Sequence, residues 1–386
     1  MMREESCMPL VPALEKAEYS FEVEFCLPEL KEYQYIRYGF TFAWARDDGT
    51  GERITDERIE LNSKRSGNWS SYLKRELGKY RPSHSTQRCT RKMNLDPDQL
   101  AIDVLTAIDS IEINPAIRAI RNLKYGACYP LNADGIMDDY PLELESKDSG
   151  IFALSEDDLP RSLYELKNGH PDKYAEFKGI MCELFPEIID IDVVSSQLLQ
   201  EQKQRLEKQK QYIEGAATVG PEEKVPYRIR DEVYRIFVNS EYLNQPVSVM
   251  RMSDGTKRVI WLVARAVMAS IAGIGCLVVE EVETGIHPRM MRNLLEAVDE
   301  ALDGTKMILT SHSPYIVQCL PFESLYVGVP SGDGVATFAT FGADQAADLS
   351  DAAYDHGMST GEYIFALMSA GEDEEDILKS YLEAAE

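Results

Sequence analysis

The chain has 386 residues, is 44% hydrophobic and 27% charged, and carries a formal net charge of −26. That apolar content suffices for buried cores in two or three domains, and the charge argues against general adhesion to nucleic acid or anionic membrane, because the far field repels polyanions. Seven cysteines stand singly with no CxxC pair, and MMREESCMPL at the start lacks a signal-peptide apolar core, so a cytoplasmic protein with reduced thiols is expected.

In chain order, YSFEVEFC (19–26) and YIRYGFTFAW (35–44) alternate apolar and polar residues. They predict neighbouring antiparallel strands. The turn DDGTG (47–51) leads to a third strand candidate, ERITDERIEL. Residues 61–92 then hold nine Lys/Arg and one acid, interleaved with Trp69, Tyr72 and Tyr80. Cations for phosphates and rings for bases are what a nucleic-acid groove uses, so DNA or RNA is one expected partner here. A solvated, partly helical excursion is the plainer expectation. Leu100, Val104, Ile108, Ile113, Ile117, Ile120 and Leu123 recur at helical spacing. Residues 130–160 read as acidic loop, 160–186 as helix, 196–214 as a projecting polar helix and 215–226 as linker. Beyond 227 the signals alternate between strand and helix, which predicts βαβ units around a parallel sheet. The apolar run near 259–276 is broken by Trp, Arg, Ser and Gly, so it suits a buried helix and a strand start better than a membrane span. The tail GEDEEDILKSYLEAAE predicts an acidic helix.

Three features of the βαβ section lie at a strand end or a helix start, where ligands bind in open α/β sheets. In MSDGTKR (252–258), Ser253, Asp254 and Gly255 precede a long apolar helix. Its free N–H groups and positive end can hold an anion, or Ser253 can be a plain cap. In CLVVEEVETGIHP (276–288), an apolar strand runs into Glu280, Glu281 and Glu283. Such crowded carboxylates need a counter-charge. One can hold Mg²⁺ and the next a water, or all can face solvent in a turn. In TSHSP (310–314), His312 follows a strand and can either donate to a phosphate or serve structure.

In this order and at these separations, the three motifs resemble the C-terminal half of an ABC-type ATPase. The chain is similar to bacterial AAA-family ATPases of the AAA15/AAA21 kind, kin to overcoming-lysogenization-defect proteins and SMC/RecF-like heads. The resemblance implies an α/β P-loop NTPase head with a parallel core sheet, an antiparallel N-terminal sheet and a helical insertion. It implies ATP and Mg²⁺ as ligands, with Glu280 as the Walker B acid on the metal, Glu281 as the catalytic glutamate and His312 as the switch histidine on the γ-phosphate. It implies that Ser253, Asp254 and Gly255 form the signature that meets ATP held by an opposite subunit. Glu283, Gly285 and His287 would belong to the D-loop region at the dimer contact. The expected partners are a second copy or another ATPase subunit and an effector protein, with no membrane. The expected domains are residues 1–60 (N-terminal strands), 61–226 (helical insertion), 227–345 (ATPase core) and 346–386 (acidic tail).

The family also carries GxxxxGK[ST], whose N–H groups and Lys hold the phosphates. These 386 residues contain no such motif, and the one Gly-Lys, Gly78-Lys79, is followed by Tyr80. One expectation is a start codon assigned too far downstream, with the loop encoded upstream and an open edge left on the parallel sheet. The other is a P-loop-less regulatory subunit that complements a partner ATPase. A Toprim-type nuclease is a third reading of LVVEEVE, weakened by Glu281 standing where that motif has Gly.

Overall fold

The computed structural model describes residues 18–27, 30, 33–44, 53–81, 88–108, 114–122, 125–128, 137, 141–144, 158–216, 227–330, 336–369 and 372–384. Most of the expected loop at 130–160, and the linker at 217–226, lie outside these. The chain divides into two compact units, residues 1–123 with 327–339, and residues 124–326 with 340–386.

In the first unit, β1 (Tyr19–Cys26), β2 (Tyr35–Ala43), β3 (Arg53–Asn62), β4 (Ser70–Lys74), β5 (Lys79–Tyr80) and β6 (Arg91–Lys92) form one six-stranded sheet in sequence order. All neighbours are antiparallel. The described parts of the basic stretch, 61–81 and 88–92, therefore continue the sheet instead of forming a helical excursion. Period-two alternation turns Ile36, Tyr38, Ile59, Leu61, Leu73 and Tyr80 inward. The helices α1 (Ala101–Thr106) and α2 (Asn114–Asn122) bury Ile102, Leu105, Ile117 and Ile120 in the same core. The helical run read from 97 to 125 is thus two shorter helices.

Glu57 is fully buried on this inner face. Its carboxylate accepts the N–H groups of Ala101 and Ile102 at the start of α1, the Tyr38 hydroxyl and the Arg75 guanidinium. Arg75 in turn donates to the carbonyls of Ile54, Asp96, Pro97 and Gln99. One ion pair thus ties β3 to α1 and to the connection before it. Burial pushes the Glu57 carboxyl above its ordinary value, against the two N–H groups, the hydroxyl and the Arg75 charge, which act the other way.

The second unit holds β7 (Tyr125–Cys128), β8 (Leu142–Leu144), α3 (Leu159–Gly169), α4 (Pro171–Leu184), β9 (Ile188–Gln197), α5 (Gln200–Ala216), β10 (Tyr227–Ile229), β11 (Glu232–Ser240), β12 (Val247–Ser248), α6 (Asp254–Ala272), β13 (Cys276–Val279), α7 (Pro288–Leu302), β14 (Lys306–Leu309) and α8 (Pro314–Val317). After α8 the chain forms β15 (Tyr326–Pro330) and β16 (Ala336–Phe341), most of whose residues count with the first unit, then α9 (Ala343–Asp355), α10 (Thr360–Ser369), α11 (Glu372–Ser380) and β17 (Leu382–Ala384) of the second unit. The α/β class is the one expected. Strands β7, β13 and β14 form the parallel sheet, with β13 in the middle. Beside it, β9, β11 and β12 pair antiparallel. Among the described residues β14 pairs with β13 alone, and its Ile308 is 57% exposed.

Helix α6 centres the core. Every residue from Lys257 to Ala269 is buried, and α6 packs against α4 and α7. Ser253 caps its start and Gly273, in the left-handed region, ends it. Two buried arginines, Arg258 and Arg265, lie over the Trp261 ring at 4.8 and 5.9 Å. No described helix is long and apolar enough to cross a membrane. The described cysteines Cys26, Cys89, Cys182, Cys276 and Cys319 are free thiols.

Removing the Glu57 carboxylate leaves Arg75 and two N–H groups uncompensated, so Glu57→Ala should cost about 3–5 kcal/mol in denaturant unfolding of the sheet unit. The carboxyl's folded value is raised, so its stabilising contribution is present below the unfolded value of 4.5 and fades as pH rises through the folded one. The stability difference between wild type and Glu57→Gln should therefore shrink from acid pH toward neutrality; a difference that widens would contradict this.

Candidate functional site

The turns after β13 and β14 and the start of α6 converge at the C-terminal end of the parallel sheet. Ser253 Oγ accepts the Thr256 N–H at 3.2 Å and lies 2.8 Å from its hydroxyl oxygen. Asp254 pairs with Lys257, a buried lysine one turn on, at 3.2 Å. Gly255 then meets the turn after β13 backbone to backbone. A Cβ on Gly255 would fall well inside contact distance of the Gly285 carbonyl oxygen, and one on Gly285 would lie 3.6 Å from the Gly255 nitrogen. Gly285 also needs φ of +74°, which glycine adopts without strain.

Glu281 has φ of +46°, one of two non-glycine residues with positive φ among those described. Such a conformation costs on the order of 1–3 kcal/mol and persists where the surroundings over-determine it. Here they do. The Glu281 N–H donates to Thr310 Oγ1 at 3.1 Å, its carbonyl accepts the Thr284 N–H at 3.0 Å, and its Oε2 accepts the Thr284 hydroxyl at 3.2 Å. Arg258 donates from beneath to the carbonyls of Glu280 and Glu281, at 2.9 and 3.5 Å. Thr310 donates its N–H to the Val279 carbonyl and accepts the Val282 N–H.

Glu283 reaches the other turn. Its Oε1 accepts the His312 N–H at 2.7 Å, while its Oε2 is buried and has no hydrogen-bond partner. His312 itself is exposed. His287 caps α7, accepting the Arg289 N–H on Nδ1 at 3.2 Å, with Pro288 at the first helical position. Its ring thus has a structural use beside any role at a subunit contact.

The structure therefore brings Ser253, Asp254, Gly255, Glu280, Glu281, Glu283, Gly285 and His312 into one contiguous set of turns. Arg258, Thr284 and Thr310 lie inside the three motifs, but their hydrogen bonds to the carboxylate turn are not visible in the sequence. Arg258 had a signal, being one of three basic residues, with Lys257 and Arg265, in a helix otherwise rich in apolar residues. Together the groups crowd carboxylates over a buried guanidinium, beside a helix N-terminus and an exposed imidazole. Among the described residues no group of three or more His, Cys, Asp or Glu could hold a metal ion. The Glu280 carboxylate is of the ligand type that a hard cation such as Mg²⁺ takes, with phosphate oxygens and water completing its shell.

Residues 133–318 match the family described as "AAA domain, putative AbiEii toxin, Type IV TA system". No curated protein matches the sequence. Among solved structures the chain is similar to an SMC head bound to the C-winged helix domain of ScpA, at 11% identity over 86% of this chain and 76% of that one, TM-score 0.43. It is also similar to the SMC head domain from Thermotoga maritima, at 9% identity over 80% of this chain and 74% of that one, TM-score 0.32.

The Gly255–Gly285 contact is the tightest link between the motifs. Gly255→Ala should lower stability by about 1–3 kcal/mol, as overpacking against backbone does. Gly179→Ala, on α4 with nothing within 4 Å of the added carbon, should raise it by about 0.5–1 kcal/mol. Thermal unfolding of the two variants measures the contrast; equal shifts would mean the turns are not in register as described.

Proposed function

We propose, from the match of residues 133–318 to a family described as an AAA domain, that the turns after β13 and β14 and the start of α6 form the hydrolytic side of an ATP site in a dimer. The observation that carries this reading is the Glu283–His312 bond together with the Gly255–Gly285 contact, which hold the three motif turns as one unit.

In this reading Glu280 supplies an oxygen ligand to Mg²⁺, and the ion when bound neutralises charge on the phosphates. Glu281 orients the attacking water and takes its proton. The Thr284 hydroxyl donates to Oε2 and so helps to fix the carboxylate's orientation. The exposed His312 imidazole donates to the γ-phosphate, and Glu283 sets its backbone position through the 2.7 Å bond. The N-terminus of α6, with Ser253 and Gly255, offers N–H groups and a positive helix end to phosphates held by the opposite subunit. The family description names a toxin–antitoxin system, and on that ground we assign the work to phage defence or nucleic-acid maintenance, with an effector protein as partner and the cytoplasm as its place.

A second reading has its own observation. No GxxxxGK[ST] occurs in the 386 residues, so the chain could instead lend its signature and D-loop to a partner ATPase and bind no ATP by itself. Micromolar ATP affinity of the purified chain would remove that reading.

For the first reading, Mg²⁺-dependent ATP hydrolysis should fall by on the order of 100-fold or more in Glu281→Gln, with ATP binding retained. Unchanged turnover in that variant would remove Glu281 from the chemistry.

A further inference from the structure

The outer face of the six-stranded sheet carries a row of charges that the register alone defines. Directly opposed residues run Glu22–Gly39–Arg58–Lys74–Lys79–Lys92 across β1 to β6. Opposed residues in antiparallel strands share a face, so all five side chains point away from the apolar core. Gly39 has no side chain, and Glu22 reaches across it to Arg58 in an ion pair. That pair neutralises the β1–β3 end of the row. In the adjacent row Arg37 is likewise engaged by Glu22, Glu24 and Glu60.

The β4–β6 end is different. Lys74 and Lys92 are exposed and Lys79 is half-buried. No carboxylate among the described residues pairs with any of the three. Like charges directly opposite one another destabilise a sheet. In a chain of net charge −26, three ammonium groups in register with no carboxylate partner among the described residues form a local exception.

We infer that this lysine row is a binding surface for the phosphate backbone of double-stranded nucleic acid, read without regard to sequence. Strand spacing of about 4.8 Å makes the row about 10 Å long, and a duplex offers one negative charge for about every 1.7 Å of its axis. The surrounding rings decide between duplex and single strand. Tyr72 and Tyr80 are buried in the sheet core, and Arg37 lies over the Trp69 ring at 4.3 Å. Neither tyrosine offers an open face to stack on an unpaired base, and one face of Trp69 is already taken by Arg37. Of the rings that suggested a groove in the sequence, the two tyrosines are buried, while the cations of this row stay accessible. The inference stands on the first unit alone and does not depend on the ATP site.

Fluorescence anisotropy of the full chain with a mixed-sequence duplex, the matching single strand and phosphatidylserine vesicles tests it. Duplex binding should weaken with salt with a log–log slope of about −2.7, from three contacts at about 0.9 each. Lys79→Gln should reduce the slope by about 0.9, and the triple change K74E/K79E/K92E should abolish binding while circular dichroism stays unchanged. Lys79→Glu should weaken binding yet raise the melting temperature, because it converts two repulsive cross-strand pairs into attractive ones. Four results would overturn the inference: no duplex binding at 50 mM salt, duplex binding unaffected by the triple change, single strand preferred over duplex, or vesicles bound as tightly as duplex.

Discussion

Gly255 lies so close to the Gly285 carbonyl that it has no room for a side chain without moving backbone, and Gly285 holds a left-handed backbone that favours glycine. The start of α6 is thereby seated on the turn after β13, and the remaining arrangement depends on that seat. With α6 fixed, Arg258 one turn on lies under the carbonyls of Glu280 and Glu281. With those carbonyls fixed, Glu281 holds a left-handed backbone that its own side chain would not select. The turn then offers Glu283 to the N–H of His312. A local steric constraint is passed through hydrogen bonds into the spacing of three sequence motifs.

Crowded carboxylates at a strand end are costly unless counter-charge or donors compensate them. The protein supplies part of this from within: a buried guanidinium stacked on Trp261, the Thr284 hydroxyl and the His312 N–H. The first unit uses the same device for stability. There Glu57 is buried against a helix N-terminus and an arginine whose other donors end on backbone carbonyls. The two sites differ in access. Glu57 is sealed, whereas the Glu280 carboxylate has no hydrogen-bonding group assigned to it among the described residues and faces partial solvent.

The motif-bearing half was legible because its signals are local. Ser253 before an apolar helix, Pro288 at a helix start and short apolar strands ending in polar turns each fix structure within a few residues. Other parts were hidden by chemistry that resembles loop. Strand β9 contains Asp190 and Asp192, which weaken a strand reading until Lys178 and Lys167 are seen to pair with them from α4 and α3. The 61–92 stretch reads as solvated because lysine and arginine favour exposure, yet Leu73 and Tyr80 hold it to the sheet core. Strand β7 is four residues long and pairs with β13 about 150 residues later, a distance at which no local pattern carries information. Arg258, Thr284 and Thr310 act through partners far along the chain or through an unusual backbone, which spacing does not encode.

The central claim is that the carboxylate turn physically sets the histidine turn. Backbone amide exchange of His312, followed by NMR in protein labelled with ¹⁵N-histidine, tests it directly. A protected amide is expected at this exposed residue, with exchange accelerated in Glu283→Ala while His287, which caps α7, keeps its rate. If His312 exchanges at the same rate with and without the Glu283 carboxylate, the two turns are not coupled as described.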